Sequence, residues 1–307
     1  MILFVFRYLI IEKWLINDIS EKAVLITGAG SGFGKAFVEK CLDEGMTVFA
    51  GCHRQESADE LTKEFKARKG QLEAFQMDVT SNDSVQKARD FVEETLKNLS
   101  KELYAVVNNA GVYEASITDD FLNLDDYRRM MEVNTYGMIR VTHAFKPMIK
   151  HSKGRIIVCT SVGVKIPAPC FISYTVSKFA SDGYAKSLRH ELYDFGVKVI
   201  TVEPGVFRTK LNEISKFMNV LNNKWRLASK ELRAEYGEYW YIRAKRYLIH
   251  LYESAPSNVT PVTDAYFHAV AAKFPLLPTV FLAPLGSSKL DIRKRLAPLR
   301  LCNTIQL

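Results

Sequence analysis

Residues 22–35 read Lys22-Ala23-Val24-Leu25-Ile26-Thr27-Gly28-Ala29-Gly30-Ser31-Gly32-Phe33-Gly34-Lys35. The apolar run 23–26 has the pattern of a strand buried on both faces. A glycine-rich turn follows at once, and residues 35–42 then place apolar side chains at helical spacing. Strand, glycine turn and helix make a phosphate cradle: glycine lets the backbone come close to a pyrophosphate, and the helix N-terminus offers unpaired N–H groups and a partial positive charge. The spacing G-x-G-x-x-G is not kept, because position 33 is Phe; what stands is Thr27-Gly28-x-x-x-Gly32-x-Gly34. Taken alone, such a loop also suits a tight strand–helix turn with no ligand.

Outward from this stretch, strand and helix alternate. Residues 45–51, 72–77, 103–107, 154–160 and 197–202 read as strands, with helical patterns at 57–69, from Ser81, at about 125–150 and at 173–195. Alternation of this kind gives a mainly parallel sheet covered on both faces, and right-handed crossovers make it a Rossmann-like, doubly wound α/β fold of about seven strands. The pattern breaks after Pro204-Gly205. Residues 207–255 are aromatic and charged, with Trp225, Tyr236, Tyr239, Trp240 and Tyr241. They read as a helical substrate flap over the C-terminal ends of the strands; either the aromatics line an apolar pocket or they form the flap's own core. A further helix at 264–273 and an edge strand from 279 complete a single domain over 20–307, with no repeat or linker.

The chain has 307 residues, 25% charged and 48% hydrophobic, with net charge +8. That is enough for one large core. The positive charge suits an anionic cofactor or membrane surface, and without zinc-finger spacing or a long basic block it does not point to nucleic acid. Cys41, Cys52, Cys159, Cys170 and Cys302 are scattered without C-x-x-C spacing, which argues against a disulfide framework or a metal site. Residues 1–19 form an apolar N-terminal segment, interrupted by Arg7 and Glu12 and shorter than the roughly 20 apolar residues of a spanning helix. Tyr8, Lys13 and Trp14 suit a membrane interface, so residues 2–16 read either as a membrane-seated anchor or as a helix packed on the domain or a partner subunit. No small-residue cleavage site follows.

Tyr174 and Lys178 lie four apart in a helix and share a face. A tyrosine with pKa near 10 is a poor base at neutral pH; a neighbouring ammonium favours the phenolate. Tyr174 can then take the proton of an alcohol while hydride leaves the carbon, or return it to a carbonyl. Tyr241 and Lys245 have the same spacing, but only Tyr174 follows Ser161 at a strand end, with Asn108-Asn-Ala-Gly111 before it and Pro204-Gly205 after it.

With this ordered set the chain resembles the classical short-chain dehydrogenase/reductase family over about 21–209. The resemblance is carried by residues 27–34, Asp78-Val79, Asn108-Asn-Ala110-Gly111, Asn134, Ser161, Tyr174 with Lys178, and Pro204-Gly205 with Thr209. Residues 31–34, 132–140 and 195–209 are also similar to a narrower branch containing retinol dehydrogenases, 17-beta-hydroxysteroid dehydrogenase type 6 and D-beta-hydroxybutyrate dehydrogenase.

The resemblance implies the following roles. Tyr174 is the general acid/base and Lys178 lowers its pKa and binds the nicotinamide ribose. Ser161 holds the reacting oxygen, and Asn134 keeps a water that links Lys178 to solvent. Gly28, Gly32 and Gly34 face the pyrophosphate, Asp78 the adenine and Asn108 the adenosine ribose side, and Thr209 helps fix the nicotinamide amide. Thr27, Ser31, Phe33, Val79, Ala110, Gly111, Pro204 and Gly205 complete the cofactor-binding set. Where NAD-preferring members carry an acid at the end of the second strand, this chain has Cys52-His53-Arg54; Arg54 can pair with a 2′-phosphate, which favours NADP or use of both cofactors. The implied substrate is a lipophilic alcohol such as a retinoid or hydroxysteroid, or its carbonyl. A 3-hydroxybutyrate-type acid is the alternative, for which Arg208, Lys210, Lys216, Lys224 and Arg226 are available. A nucleotide-binding protein without turnover is the reading from another class. A homodimer or homotetramer and association with the endoplasmic reticulum membrane are expected, with cytoplasm or mitochondrion as other locations.

Overall fold

The computed structural model describes residues 14–113, 117–276 and 279–281. Most of the N-terminal apolar segment, the tail from 282 and Cys302 lie outside these residues.

Seven parallel strands form one sheet in the order β3-β2-β1-β4-β5-β6-β7. They are β1 (Ala23–Thr27), β2 (Thr47–Cys52), β3 (Gln71–Gln76), β4 (Leu103–Asn108), β5 (Arg155–Cys159), β6 (Lys198–Pro204) and β7 (Thr279–Phe281). The helices are α1 (Gly32–Asp43), α2 (Gln55–Glu64), α3 (Asn82–Leu99), α4 (Leu124–Met131), α5 (Met138–His151), α6 (Ile172–Glu191), α7 (Ile214–Leu227), α8 (Lys230–Glu253) and α9 (Thr260–Ala271). The direction of winding reverses between β1 and β4, so a crevice opens where their C-terminal ends part.

Strand side chains alternate between two cores. Val24 and Ile26 point to one face, with Phe37, Val38 and Cys41 of α1 and Tyr266 and Val270 of α9. Ala23 and Leu25 point to the other, with Val85 and Val92 of α3, Val141 and Phe145 of α5 and Leu188 of α6. Burial on both faces explains why β1 reads as an unbroken apolar run rather than an alternating one. α3 begins where Ser81 caps it, accepting the Ser84 amide at 3.2 Å.

The long helix expected over about 125–150 is broken. Between α4 and α5 the backbone makes a π-helical segment, Glu132–Gly137. One extra residue per turn there lets Gly137 lie against β3's exit, where an added Cβ would sit 2.7 Å from Val79 Cγ2. The helix expected to 195 stops at Glu191. Residues 207–255 do form a helical flap, of α7 and α8; α8 kinks at Gly237, whose φ is +76°.

Candidate active site

The phosphate side is built by β1's exit folding under β4's exit. Thr27 Oγ1 accepts the amides of Asn109 (3.0 Å) and Ala110 (2.9 Å), and Asn109 Nδ2 donates to the carbonyls of Thr27 (2.9 Å) and Gly28 (3.2 Å). This latch leaves no room for side chains. A Cβ on Gly28, whose φ is +64°, would meet Ala110 Cα at 2.8 Å, and one on Gly34 would meet Gly28 O at 2.4 Å. Gly32, also at positive φ, faces Thr209, and Phe33 packs edge-on against Phe207 at 5.6 Å, so the cradle and the segment after Gly205 close on one another. Ser31 is the N-cap of α1 and makes no side-chain cap bond. The first turn of α1 therefore keeps N–H groups for an anion, and a dinucleotide pyrophosphate fits this glycine cradle.

Two of the residues expected to meet the adenosine also hold the fold together. Asn108 is buried, and its Nδ2 donates to Thr142 Oγ1 of α5 at 3.1 Å. Its side chain thus serves the helix layer, while that of its neighbour Asn109 latches onto Thr27 and Gly28. Asp78 does cap a turn: it accepts the Thr80 amide at 2.9 Å and hydroxyl at 2.8 Å, with His53 Nε2 at 4.0 Å. Burial opposes its charge, but the Thr80 donors, His53 and Arg140 hold the carboxyl below its ordinary range. Val79 is buried under Gly137. At the end of β2, Cys52 is buried while His53 and Arg54 are exposed, Arg54 as the N-cap of α2.

Thirteen positions apart in the chain, Ser161 and Tyr174 are brought together by the fold, close enough for the serine hydroxyl to act on the phenol. Ser161 caps the turn after β5, accepting the Gly163 amide at 3.1 Å. Burial pushes the Tyr174 phenol well above its ordinary pKa, and the Ser161 hydroxyl works against that. Lys178 Nζ donates to the Cys159 carbonyl at 2.9 Å and lies 5.7 Å from the Tyr174 ring centroid; burial pushes its pKa down.

Asn134 sits in the π segment, buried, with its amide engaged at both ends. Oδ1 accepts the Val112 amide at 2.8 Å, and Nδ2 donates to the Val112 carbonyl and to Ser177 Oγ, each at 3.0 Å. Its carbonyl accepts the Ser181 hydroxyl at 2.8 Å. Asn134 therefore ties β4's exit to α6. Gly111 lies between Asn134 and Lys178: an added Cβ would be 3.1 Å from Asn134 Oδ1 and 3.6 Å from Lys178 Nζ.

Above Tyr174 stands an aromatic wall that sequence reading missed. Tyr113 meets the Tyr174 ring edge-on at 4.5 Å, stacks on Phe171 at 5.3 Å and meets Phe217 of α7 at 5.2 Å. The aromatics singled out in the flap mostly pack on themselves. Trp225 stacks on Phe121 and Tyr241, Trp240 packs with Tyr236 and Phe121, and Tyr239 is exposed. Tyr113 could have been noticed two residues after Asn-Ala-Gly111, and Phe171 three before Tyr174. Among the described residues no group of three His, Cys, Asp or Glu side chains could hold a metal ion.

Comparison with known proteins agrees with this geometry. The profile described as short chain dehydrogenase matches residues 22–218. The chain is 37% identical over 281 residues to 3beta-hydroxysteroid dehydrogenase dhs-16 of Caenorhabditis elegans, covering 89% of this chain and 71% of that one. It is 31% identical over 265 residues to the mitochondrial D-beta-hydroxybutyrate dehydrogenase of Bos taurus, covering 85% and 76%. The crystal structure of a short chain dehydrogenase/reductase from Burkholderia phymatum in complex with NAD superposes with a TM-score of 0.68 at 23% identity, covering 84% and 88%.

Proposed function

The chain belongs to the short-chain dehydrogenase family and is an NAD(P)-dependent oxidoreductase acting on CH–OH groups, and from that premise we propose that its substrate is a lipophilic alcohol of hydroxysteroid or retinoid type, or the matching carbonyl. The observation that carries this reading is Tyr113 set edge-on against the Tyr174 ring and backed by Phe171 and Phe217. Such a wall desolvates an apolar ring and leaves two polar points, the hydroxyls of Ser161 and Tyr174, to orient one oxygen.

When bound, the nicotinamide supplies the hydride acceptor or donor and, oxidised, a positive charge that favours a phenolate. The chain's own residues do the rest. Ser161 holds the substrate oxygen, and Tyr174 Oη takes the hydroxyl proton in oxidation or returns it to the carbonyl oxygen in reduction. Lys178, fixed on the Cys159 carbonyl, reaches the ribose side, and Asn134 holds β4's exit and α6 at the right separation. A substrate carboxylate is the less favoured reading. Of the flap cations it needs, Lys224 is held by Asp126, and Lys216 bonds the Lys210 carbonyl at 2.6 Å with Glu213 at 3.7 Å.

Three further parts of the reading are proposals of the same kind. Exposed Arg54, with no acidic side chain at 52–55, supports NADP or dual cofactor use. An exposed apolar stripe of Ile172, Val176 and Phe179 on α6, with Tyr136 of the π segment exposed as well, supports a homodimer or homotetramer through these helices. The apolar sequence before Trp14 supports membrane seating of residues 2–16; among the described residues no helix is long and apolar enough to cross a membrane.

The test is reduced-nicotinamide formation by the purified chain, with NAD or NADP, on a hydroxysteroid, a retinol and 3-hydroxybutyrate. Turnover of a lipid alcohol that vanishes in Tyr174→Phe supports the proposal. Turnover of 3-hydroxybutyrate alone sinks the lipophilic reading, and cofactor binding without any turnover favours a nucleotide-binding protein.

A further inference from the structure

The end of the sheet opposite the crevice carries an unusual surface. Residues 14–16 run antiparallel beside the end of α9: Ile16 N donates to Ala271 O at 2.8 Å and Lys273 N to Trp14 O at 2.6 Å. The buried guanidinium of Arg155 fixes that end by donating to the carbonyls of Ala269 and Ala272. Lys198 Nζ, at the start of β6, reaches Lys273 O at 3.1 Å, and its backbone N–H donates to Gly154 O at 3.1 Å. Gly196 lies against Lys153, and Lys150 Nζ sits 3.3 Å from the Phe195 ring centroid. These contacts join one continuous collar from Trp14 and Phe274 to Phe195 and Tyr193.

Its aromatics face solvent: Trp14 is 51% exposed, Phe274 47%, Phe195 48% and Tyr193 80%. Lys153, Lys198 and Lys273 are exposed among them. Asp194 is the acidic side chain lining the groove with Lys150, Lys153, Tyr193, Phe195 and Gly196, a space of about 640 Å³. Further along, Glu21 faces Lys101 at 4.0 Å and Glu102 faces His151 at 3.2 Å. Exposed aromatic rings interleaved with lysines match the boundary of an anionic bilayer, where rings enter the headgroup layer and lysines meet phosphate and carboxylate groups. Trp14, the first of the described residues, belongs to this same surface.

We propose that this collar is a docking surface for an anionic lipid bilayer, which turns the C-terminal ends of the strands, and with them Tyr174, away from the lipid. The proposal extends the membrane seating of residues 2–16 and rests on it, so the experiment separates the two. The full chain is floated with vesicles of phosphatidylcholine alone and with about one third phosphatidylserine. An apolar N-terminal segment binds both; the collar adds binding to the anionic vesicles alone. With Lys153, Lys198 and Lys273 all near the surface, that gain is about a hundredfold at low salt. It is expected to disappear in Lys153→Glu/Lys198→Glu/Lys273→Glu and, without any substitution, in high salt.

A second measurement reads contact directly. Trp225 and Trp240 are buried in the flap, so in a Trp14→Phe chain the tryptophan of Phe195→Trp is the exposed reporter for quenching by brominated lipid. Quenching on anionic vesicles supports the collar. Equal binding to both vesicle types with no quenching at 195 overturns the collar and leaves the N-terminal seating standing. No binding to either overturns both, and self-association abolished by the lysine substitutions assigns the collar to a second copy of the chain and overturns the lipid.

Discussion

The ammonium of Lys178 donates to the Cys159 carbonyl, 2.9 Å away, and lies 5.7 Å from the Tyr174 ring centroid. Burial raises the phenol's pKa and the nearby Ser161 hydroxyl lowers it. Oxidation needs the phenolate, so its kcat/KM is expected to climb with pH, approaching tenfold per unit, until it levels off at the pKa that the phenol has beside the oxidised nicotinamide. Reduction uses the phenol and is expected to stay level until that pKa is passed. In Ser161→Ala the lost serine hydroxyl moves the oxidative rise to higher pH, besides slowing the reaction. A pH–rate profile of the two enzymes in both directions checks this; an unmoved rise in Ser161→Ala means that the serine does not act on the phenol.

Gly34 and Gly183 are both helical and should respond oppositely to alanine. A Cβ on Gly34 would lie 2.4 Å from Gly28 O and 2.6 Å from Asn109 Nδ2, a backbone atom and a latched side chain, while nothing lies within 4 Å of one on Gly183. Gly34→Ala is therefore expected to cost about 2 kcal/mol and to raise the KM for cofactor, because the latch must open. Gly183→Ala is expected to gain up to about 1 kcal/mol from helix propensity. Thermal unfolding of the two variants gives the signs directly.

The fold was readable because burial on both faces writes parallel strands as apolar runs, such as Ala23–Thr27, with glycine turns between them and the helices. That Tyr174 and Lys178 share one helix face was readable because a helix fixes their spacing. What could not be read was side-chain direction at the strand ends. Asn108 and Asn109 are adjacent, and only the exit geometry of β4 turns the first into the helix layer and the second onto Gly28. The π turn at Asn134 was equally hidden, since the sequence is helical by pattern and the extra residue is admitted by Gly137 against Val79. In the flap, composition could not tell a pocket wall from a self-packed core, because both need the same residues.

That last distinction can be measured. Tyr113 contacts Tyr174, whereas Trp225 packs against Phe121, Trp240 and Tyr241. Tyr113→Ala is expected to raise the KM for a lipophilic substrate about tenfold, from the loss of roughly 1.5 kcal/mol of aromatic contact, with the KM for cofactor unchanged. Trp225→Ala is expected to lower stability by about 3 kcal/mol, as for a large core deletion, before any effect on KM. If Trp225→Ala alters substrate KM without lowering Tm, the flap aromatics are a wall after all.

Asp126 is where the flap is pinned. It is buried at the start of α4, takes the Asn123 amide at 2.9 Å, and pairs with Arg129 and with Lys224 of α7. Burial opposes its charge, but Lys224, the Asn123 backbone and Arg129 together hold the carboxyl below its ordinary range. A carboxyl depressed in the folded state contributes stability that is present above the unfolded pKa, near 4, and is lost as pH falls through the lower folded value. Asp126→Asn keeps the shape but cannot hold two cations, and should cost about 2 kcal/mol at neutral pH. The loss should begin to shrink as pH falls below about 4, the unfolded value, and reach zero only below the lower folded value, where the wild-type carboxyl is protonated too. Because Lys224 lies on the helix that supplies Phe217 to the pocket wall, the same variant should raise substrate KM while leaving cofactor KM in place. Denaturant unfolding across pH 3 to 7, beside substrate kinetics at pH 7, tests both halves; a stability loss that does not change with pH places the effect on α4 capping and not on the Lys224 tether.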